Sequence, residues 1–231
     1  MIRTETIAAG RVHGHLAHAE RPRGGVLLLP TIFGVDGFAQ GRARMLAEAG
    51  FTTLVWDSYP GEATPADMAA ATARAGKLTD GAVEDMTDCV RHMRDQLALP
   101  GVAVLGFCLG GRYALLLAAR GGLAGCVAYY PSIRVPAKPN ETEDAVARSA
   151  AIGCPVHLIQ GGADEVIVHA TYLRLRDTLE KRPAATVVQS HPGAVHSFMR
   201  DAVQHVPANA MATRLAWPPA IAFLEACLPR G

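Results

Sequence analysis

The run LGFCLGGR (Leu105–Arg112) constrains this chain more than any other stretch. Glycine loses more backbone freedom on folding than any other residue, so a dense cluster marks a sharp turn or a close backbone approach. Upstream lies VAVL (Val102–Leu105), short and apolar. Downstream lies RYALLLAAR (Arg112–Arg120), rich in strong helix formers. A strand, a Gly-x-Cys-x-Gly turn and a helix are therefore written into about twenty residues. This is the pattern of a nucleophile elbow, with Cys108 where serine usually stands. Gly106 and Gly110 are expected to relieve crowding in the turn, and Gly111 to let the helix begin close to the strand.

The flanking chain alternates short apolar runs with longer amphipathic ones. Thr4–Ala19 alternates at period two around Ala9-Gly10 and reads as a hairpin. Val26–Pro30, Phe51–Asp57, Val102–Leu105, Leu123–Pro131, Pro155–Gly162 and Ala185–His191 read as strands. Helical patterns end at Ala49, with Gly50 as the cap, and run over Ala82–Leu99 and Tyr172–Lys181. Ser58–Gly81 reads as a partly helical excursion over the sheet. Pro218 and Pro219 are expected to break or restart the last helix as first-turn residues. Strands alternating with such helices predict a single α/β domain over residues 1–231: a mostly parallel sheet with helices on both faces.

At 231 residues, 50% apolar and 19% charged, the chain has the composition of one soluble globular domain. A net charge of +1 without any basic run argues against nucleic acid or an anionic membrane as partner. No apolar leader and no bilayer-length segment is present in the sequence. The cysteines (Cys89, Cys108, Cys126, Cys154, Cys227) are odd in number and show no CxxC spacing, so neither a zinc site nor a disulfide framework is indicated. Free thiols favour a cytoplasmic location. The oligomeric state is left open, with a monomer compatible.

In parallel sheets, active sites gather at the carboxyl ends of strands. Three polar residues directly follow predicted strands: Cys108, Asp164 in GGADE, and His196 in HPGAVHSF. Their chain order, nucleophile–acid–histidine, is that of α/β-hydrolases. A thiol needs a nearby imidazolium and a helix N-terminus to become a thiolate at neutral pH, and a carboxylate fixes the imidazole tautomer. One oxyanion donor would be the Leu109 N–H, with a second from the Pro30–Gly34 loop. Read by position alone, Asp164 could instead be only a helix N-cap, the lesser reading, and His191 rivals His196. The other four cysteines read as buried and structural.

Taken together, GFCLGG, GGADEVI, HSFMR and TIFGVDGF resemble the dienelactone hydrolase family of α/β-hydrolases, from about Val26 to the C-terminus. The resemblance implies hydrolysis of a lactone or activated ester by a Cys-His-Asp triad without metal or cofactor. It assigns Cys108 as nucleophile, Asp164 as orienting acid and His196, through the HSF match, as base. It also assigns Ile32 and Leu109 as oxyanion donors, and Ser197 and Arg200 as contacts to a substrate carboxylate. Arginine suits that task through its bidentate fork.

Two departures stand out. The family carries a glutamate before Ile-Phe-Gly, where it links thiolate formation to substrate binding; here the position is Thr31. Cys108 is accordingly expected to pair with His196 in the free enzyme and to react readily with alkylators. The family's arginine and tyrosine contacts in the excursion are replaced by ATARAGKL, with Arg74 or Lys77 as the candidate substitutes. The resulting reading is a hydrolase of a small, anionic lactone or ester. Its alternatives are a carboxylesterase or thioesterase on the same residues, with Phe33, Phe38, Trp56, Tyr59 and Phe198 lining an acyl pocket, or a thiol-sensing or ligand-binding protein on this scaffold.

Overall fold

The computed structural model describes residues 2–228. The chain opens with β1 (Arg3–Ala9) and β2 (Val12–His18), the hairpin expected around Ala9-Gly10, with Gly10 at φ +61° in the turn. Six more strands follow: β3 (Gly24–Leu29), β4 (Phe51–Trp56), β5 (Val102–Phe107), β6 (Cys126–Tyr129), β7 (Val156–Gly161) and β8 (Thr186–His191). They form one sheet in the order β1-β2-β4-β3-β5-β6-β7-β8. Only β1 and β2 run antiparallel to their neighbours; β3 to β8 are parallel.

Every residue of β3 through β7 is buried, so both faces of the sheet are covered. The helices are α1 (Gly37–Glu48), α2 (Met68–Ala75), α3 (Val83–Asp95), α4 (Leu109–Ala118), α5 (Ala145–Arg148), α6 (His169–Glu180) and α7 (Pro207–Cys227). Helix α1 meets α7 where Arg42 stacks over Trp217, while α3 packs on α4 and α4 on α5. Gly50 sits at φ +94° after α1, where a left-handed cap was expected.

The C-terminal helix departs from the sequence reading. Helix α7 runs unbroken through Pro218 and Pro219, which lie in its interior rather than its first turn. The first turn instead carries Pro207. Proline at 219 removes the N–H that would reach the Leu215 carbonyl, four residues back. The Gln189 side chain on β8 donates to that carbonyl instead, at 2.9 Å. A tertiary contact has taken over a hydrogen bond that the helix gave up.

Candidate active site

The turn after β5 is held from all sides. Cys108 has φ 57° and ψ −115°, a conformation that L-residues avoid and that persists only when surroundings over-determine it. Its N–H donates to the Tyr129 carbonyl at 3.1 Å, and its carbonyl accepts from Ser132 at 2.9 Å and Arg112 at 3.1 Å. A Cβ at Gly106 would run into the Gly110 carbonyl, and one at Gly110 into the Leu29 carbonyl. One at Gly111 would lie 2.8 Å from the Tyr129 carbonyl. In each case the obstacle is backbone and has no rotamer to escape into. The glycines thus perform the role assigned to them, and Gly111 accommodates the end of β6 as well as the Gly106 carbonyl of the helix's own strand, 3.3 Å from where a Cβ would lie.

Asp164 follows β7 and His196 follows β8. The Asp164 side chain is only 1% exposed, and its Oδ2 meets His196 Nδ1 at 2.8 Å. Its Oδ1 accepts from the N–H groups of Val166 at 2.7 Å and Ile167 at 3.2 Å. The carboxylate therefore serves both readings open at the sequence level, capping the turn and orienting the histidine. The N-cap of α6 itself is Val168. His191, the rival histidine, is buried against Phe198 and does not reach Asp164.

Burial alone pushes the His196 imidazole down. The nearby Cys108 sulfur and the Asp164 carboxylate more than offset this and raise it from 6.5 to about 10. Its Nε2 has no hydrogen-bond partner among the described residues. The ring packs edge-on against Tyr130, centroids 5.3 Å apart. The loop carrying His196 is pinned by Asn209 of α7, fully buried, whose Oδ1 accepts from Val195 N–H at 3.0 Å. Tyr130 and Asn209 escaped the sequence reading, since a strand-end tyrosine and a helical asparagine carry no motif.

A cavity of about 450 Å³ opens on these groups. Cys108, His196, Thr31, Ile32, Leu109, Ser197 and Arg200 all border it, so the structure gathers every candidate but Asp164 at its wall. The N–H groups of Ile32 and Leu109 donate to no backbone acceptor among the described residues. Gly110 N–H donates to the Pro30 carbonyl at 3.1 Å, tying the elbow to the loop that carries Ile32. Ser197 sits at φ 58°, a second strained residue on the wall.

Thr31 is buried, and its Oγ1 accepts from Phe33 N–H at 3.3 Å and from Arg200 Nη1 at 3.4 Å. Arg200 pairs with Asp36, the N-cap of α1, at 2.8 Å, and its guanidinium lies 4.6 Å from the Phe33 ring centroid.

Several expectations are corrected. Arg74 does not reach the cavity. It stacks on Tyr59 at 3.8 Å and donates to the carbonyls of Ala63 at 3.0 Å and Phe33 at 3.1 Å, bracing the Ile32 loop from behind. Lys77 is also absent from the wall; the cations there are Arg134, Lys138 and Arg200. Of the five aromatics, only Phe33 lines the cavity. Phe38 packs on Phe107, Trp56 on Tyr113, Phe198 on Tyr130, and Tyr59 lies under Arg74. Aromatic bodies near strand ends filled the core first.

Behind the elbow lies a polar brace that no motif announced. Arg112, 2% exposed, donates to Asp80 Oδ2 at 3.0 Å and to the Glu143 carbonyl at 2.8 Å. Asp80 also accepts from Glu143 N–H at 2.7 Å. The elbow helix is thereby bolted to both segments that shape the cavity mouth, residues 58–82 and 131–155.

A mostly parallel sheet with a strained, glycine-framed nucleophile turn and an acid–histidine pair on later strand ends defines an α/β-hydrolase. The dienelactone hydrolase family model matches residues 12–228. A carboxymethylenebutenolidase from Rhodococcus opacus is 34% identical over 215 residues, covering 89% of this chain and 82% of that protein. One from a Pseudomonas species is 32% identical over 203 residues, covering 83% and 81%. Among solved structures, a dienelactone hydrolase-like promiscuous phosphotriesterase from metagenomic libraries superposes with a TM-score of 0.81 at 24% identity, covering 98% of each chain. The chain belongs to the dienelactone hydrolase family and is a hydrolase acting on esters or lactones. Among the described residues no helix is long and apolar enough to cross a membrane.

Proposed function

We propose that the protein opens a small anionic lactone or activated ester by thiolate attack and an acyl-enzyme intermediate, with Cys108, His196 and Asp164 as the triad. The observation that carries this is one geometry. His196 Nδ1 is held by Asp164 at 2.8 Å, its Nε2 is unpartnered, and Cys108, His196, Ile32 and Leu109 border one cavity, the last two with N–H groups that meet no backbone acceptor among the described residues.

Cys108 Sγ attacks the carbonyl carbon, and the carbonyl oxygen takes the negative charge. The N–H groups of Ile32 and Leu109 donate to that oxyanion. As the tetrahedral species collapses, the ester C–O bond breaks and the leaving oxygen takes the His196 Nε2 proton. The acyl group is then a thioester on Cys108. Neutral His196 removes a proton from water, and the hydroxide attacks the thioester carbonyl. The C–S bond breaks, which restores the thiolate and the imidazolium and releases a carboxylic acid that gives its proton to solvent. Asp164 keeps the imidazole in the tautomer with Nδ1–H and stabilises its cation throughout. Ser197 and Arg200 hold the substrate carboxylate. With Thr31 at the family glutamate position, no carboxylate there competes with His196 for Cys108. No cofactor or metal is invoked, and the partner is the small-molecule substrate alone.

The test is turnover of a dienelactone, p-nitrophenyl acetate and an acyl thioester by wild type, Cys108→Ala and Asp164→Asn. Wild type should favour the lactone. Cys108→Ala should lose at least about 10³-fold, and Asp164→Asn about 10²–10⁴-fold. Turnover that survives Cys108→Ala would overturn the reading. The apolar walls from Ile32, Phe33, Met68 and Val203 support a carboxylesterase or thioesterase as second reading, and preference for the simple ester or thioester would select it.

A further inference from the structure

We propose that Arg134 and Lys138 bind a second, terminal anion on the substrate, so that the cavity selects dianions with an apolar middle. This rests on the reading of Cys108 as the reacting end of the same cavity.

The charged side chains of the wall are Arg134, Lys138, His196 and Arg200, and no carboxylate borders it. The acids adjacent in sequence to lining residues, Asp67, Glu165 and Asp201, lie outside the lining. Arg200 is already paired with Asp36, so its charge is partly neutralised. Arg134 and Lys138 form no ion pair within 4 Å among the described residues. Their own segment, PSIRVPAKPN, contains no acid at all.

The acids that follow are committed elsewhere. Glu141 faces Arg112 at 4.0 Å and accepts from the backbone N–H of Lys138 at 3.5 Å without pairing with its ammonium, Glu143 pairs with Arg120 at 3.0 Å and Arg148 at 2.6 Å, and Asp144 caps α5. Two cations are thus left uncompensated on the wall of an otherwise apolar cavity. Arg134 is exposed and Lys138 half-buried, so an anion held there keeps part of its hydration and avoids the full desolvation penalty.

The same wall carries Ile32, Phe33, Met68, Leu109 and Val203, which suit methylenes or a ring. Met68 is 61% exposed, an apolar surface at the cavity wall that a substrate body would cover. At about 450 Å³ the cavity has the size of a small-molecule site and leaves room beyond a reacting ester for such a body. Arginine offers a planar fork and lysine a mobile point charge, a pair that accepts a terminal carboxylate or phosphate alike. Arg134 also edges a smaller cavity with Arg174 and Glu141, whereas Lys138 does not border that one.

Protection of Cys108 from iodoacetamide, read by intact mass, tests this without requiring turnover. The probes are octanoate, suberate and 8-phosphonooctanoate, matched in apolar length. Wild type should be half-protected at a concentration about five- to tenfold lower for a dianionic probe than for octanoate, with the ratio shrinking as salt is added. In Arg134→Gln/Lys138→Gln the ratio should fall to about one, and Arg134→Lys/Lys138→Arg should restore most of it. A larger ratio for suberate or for the phosphonate identifies the terminal group, and either result supports the proposal. Equal protection by octanoate and both dianions in wild type, or an undiminished ratio in the double glutamine variant, overturns it. Loss of turnover in the hydrolase assay with an intact protection ratio would instead fault the triad reading alone.

Discussion

The inner wall of the cavity comes from strand ends and its mouth from two excursions between strands, and different forces hold the two. At the inner wall, Cys108 and His196 leave β5 and β8, while Asp164 leaves β7 behind them. They are fixed by ladder hydrogen bonds and by backbone contacts so close that only glycine fits. At the mouth, Met68, Thr72, Arg134 and Lys138 ride on α2 and the 131–144 loop. Those segments are tied to the inner wall chiefly through side chains, above all Arg112 and Asp80. On the proposed reading, chemistry that must be placed within tenths of an ångström sits on the rigid part, and recognition, which tolerates variation, sits on the adjustable part.

The sharpest way to break this contrast is at a glycine. Gly110→Val should cost at least about 4–5 kcal/mol and leave little cooperatively folded protein in a denaturant titration, because its Cβ would meet the Leu29 backbone. Gly10→Ala, in the hairpin turn with nothing within 4 Å of its Cβ, should cost only about 1 kcal/mol for the left-handed φ. Comparable losses from the two would show that the elbow is not specially crowded.

Next in size is the brace that joins the inner wall to the mouth. Asp80→Asn leaves the buried Arg112 without its nearest counter-charge, with only Glu141 at 4.0 Å remaining, and should destabilise the fold by about 3–5 kcal/mol at neutral pH. Burial pushes the Asp80 carboxyl up, but Arg112 and the Glu143 N–H prevail and hold it below its ordinary value of 3.8. The brace therefore contributes fully above the unfolded value and loses its contribution as pH falls through the lower folded one. Chemical denaturation at pH 7 and in acid should show the gap between wild type and Asp80→Asn closing in acid. A gap independent of pH would mean that Arg112 is held by the Glu143 carbonyl rather than by charge.

The smallest effect lies within the triad. Burial pushes His196 down, and the Cys108 sulfur is the largest influence raising it to about 10. With a folded value above the unfolded one, the stabilisation from its cation is complete below about 6.5 and vanishes as pH rises through about 10. Cys108→Ser removes the sulfur that raises the imidazole most, so the His196 titration followed by NMR should move to lower pH. An unmoved titration would assign the imidazolium to Asp164 alone and contradict a Cys108–His196 ion pair in the free protein.

Much of the inner wall was legible because it is local. Strand, glycine turn and helix lie within one short segment, and the residues following β7 and β8 could be ranked by the rule that sites gather at strand ends. The choice of His196 over His191 needed the HSF resemblance, since both lie at the end of the same strand, one as its last residue and one just beyond it. The mouth was not legible. Arg74, the cation expected there, turned back to serve the carbonyls of Ala63 and Phe33, while Arg134 and Lys138 came in from another excursion. Pro218 and Pro219 misled for a related reason: the hydrogen bond that Pro219 removes was supplied by Gln189, far away in sequence.

Local pattern by itself determined the alternation of strands and helices, the place of the sharp turn and the order of thiol, carboxylate and imidazole. Those features depend on side-chain periodicity and on backbone conformations available to particular residues, which neighbours in sequence dictate. Tertiary structure decided which cations face the cavity, which aromatics became core, and that Arg112, Asp80 and Asn209 hold the frame. Each of these outcomes turns on which polar group finds a partner across the fold. In a dry interior an unpartnered group costs more than any local preference returns.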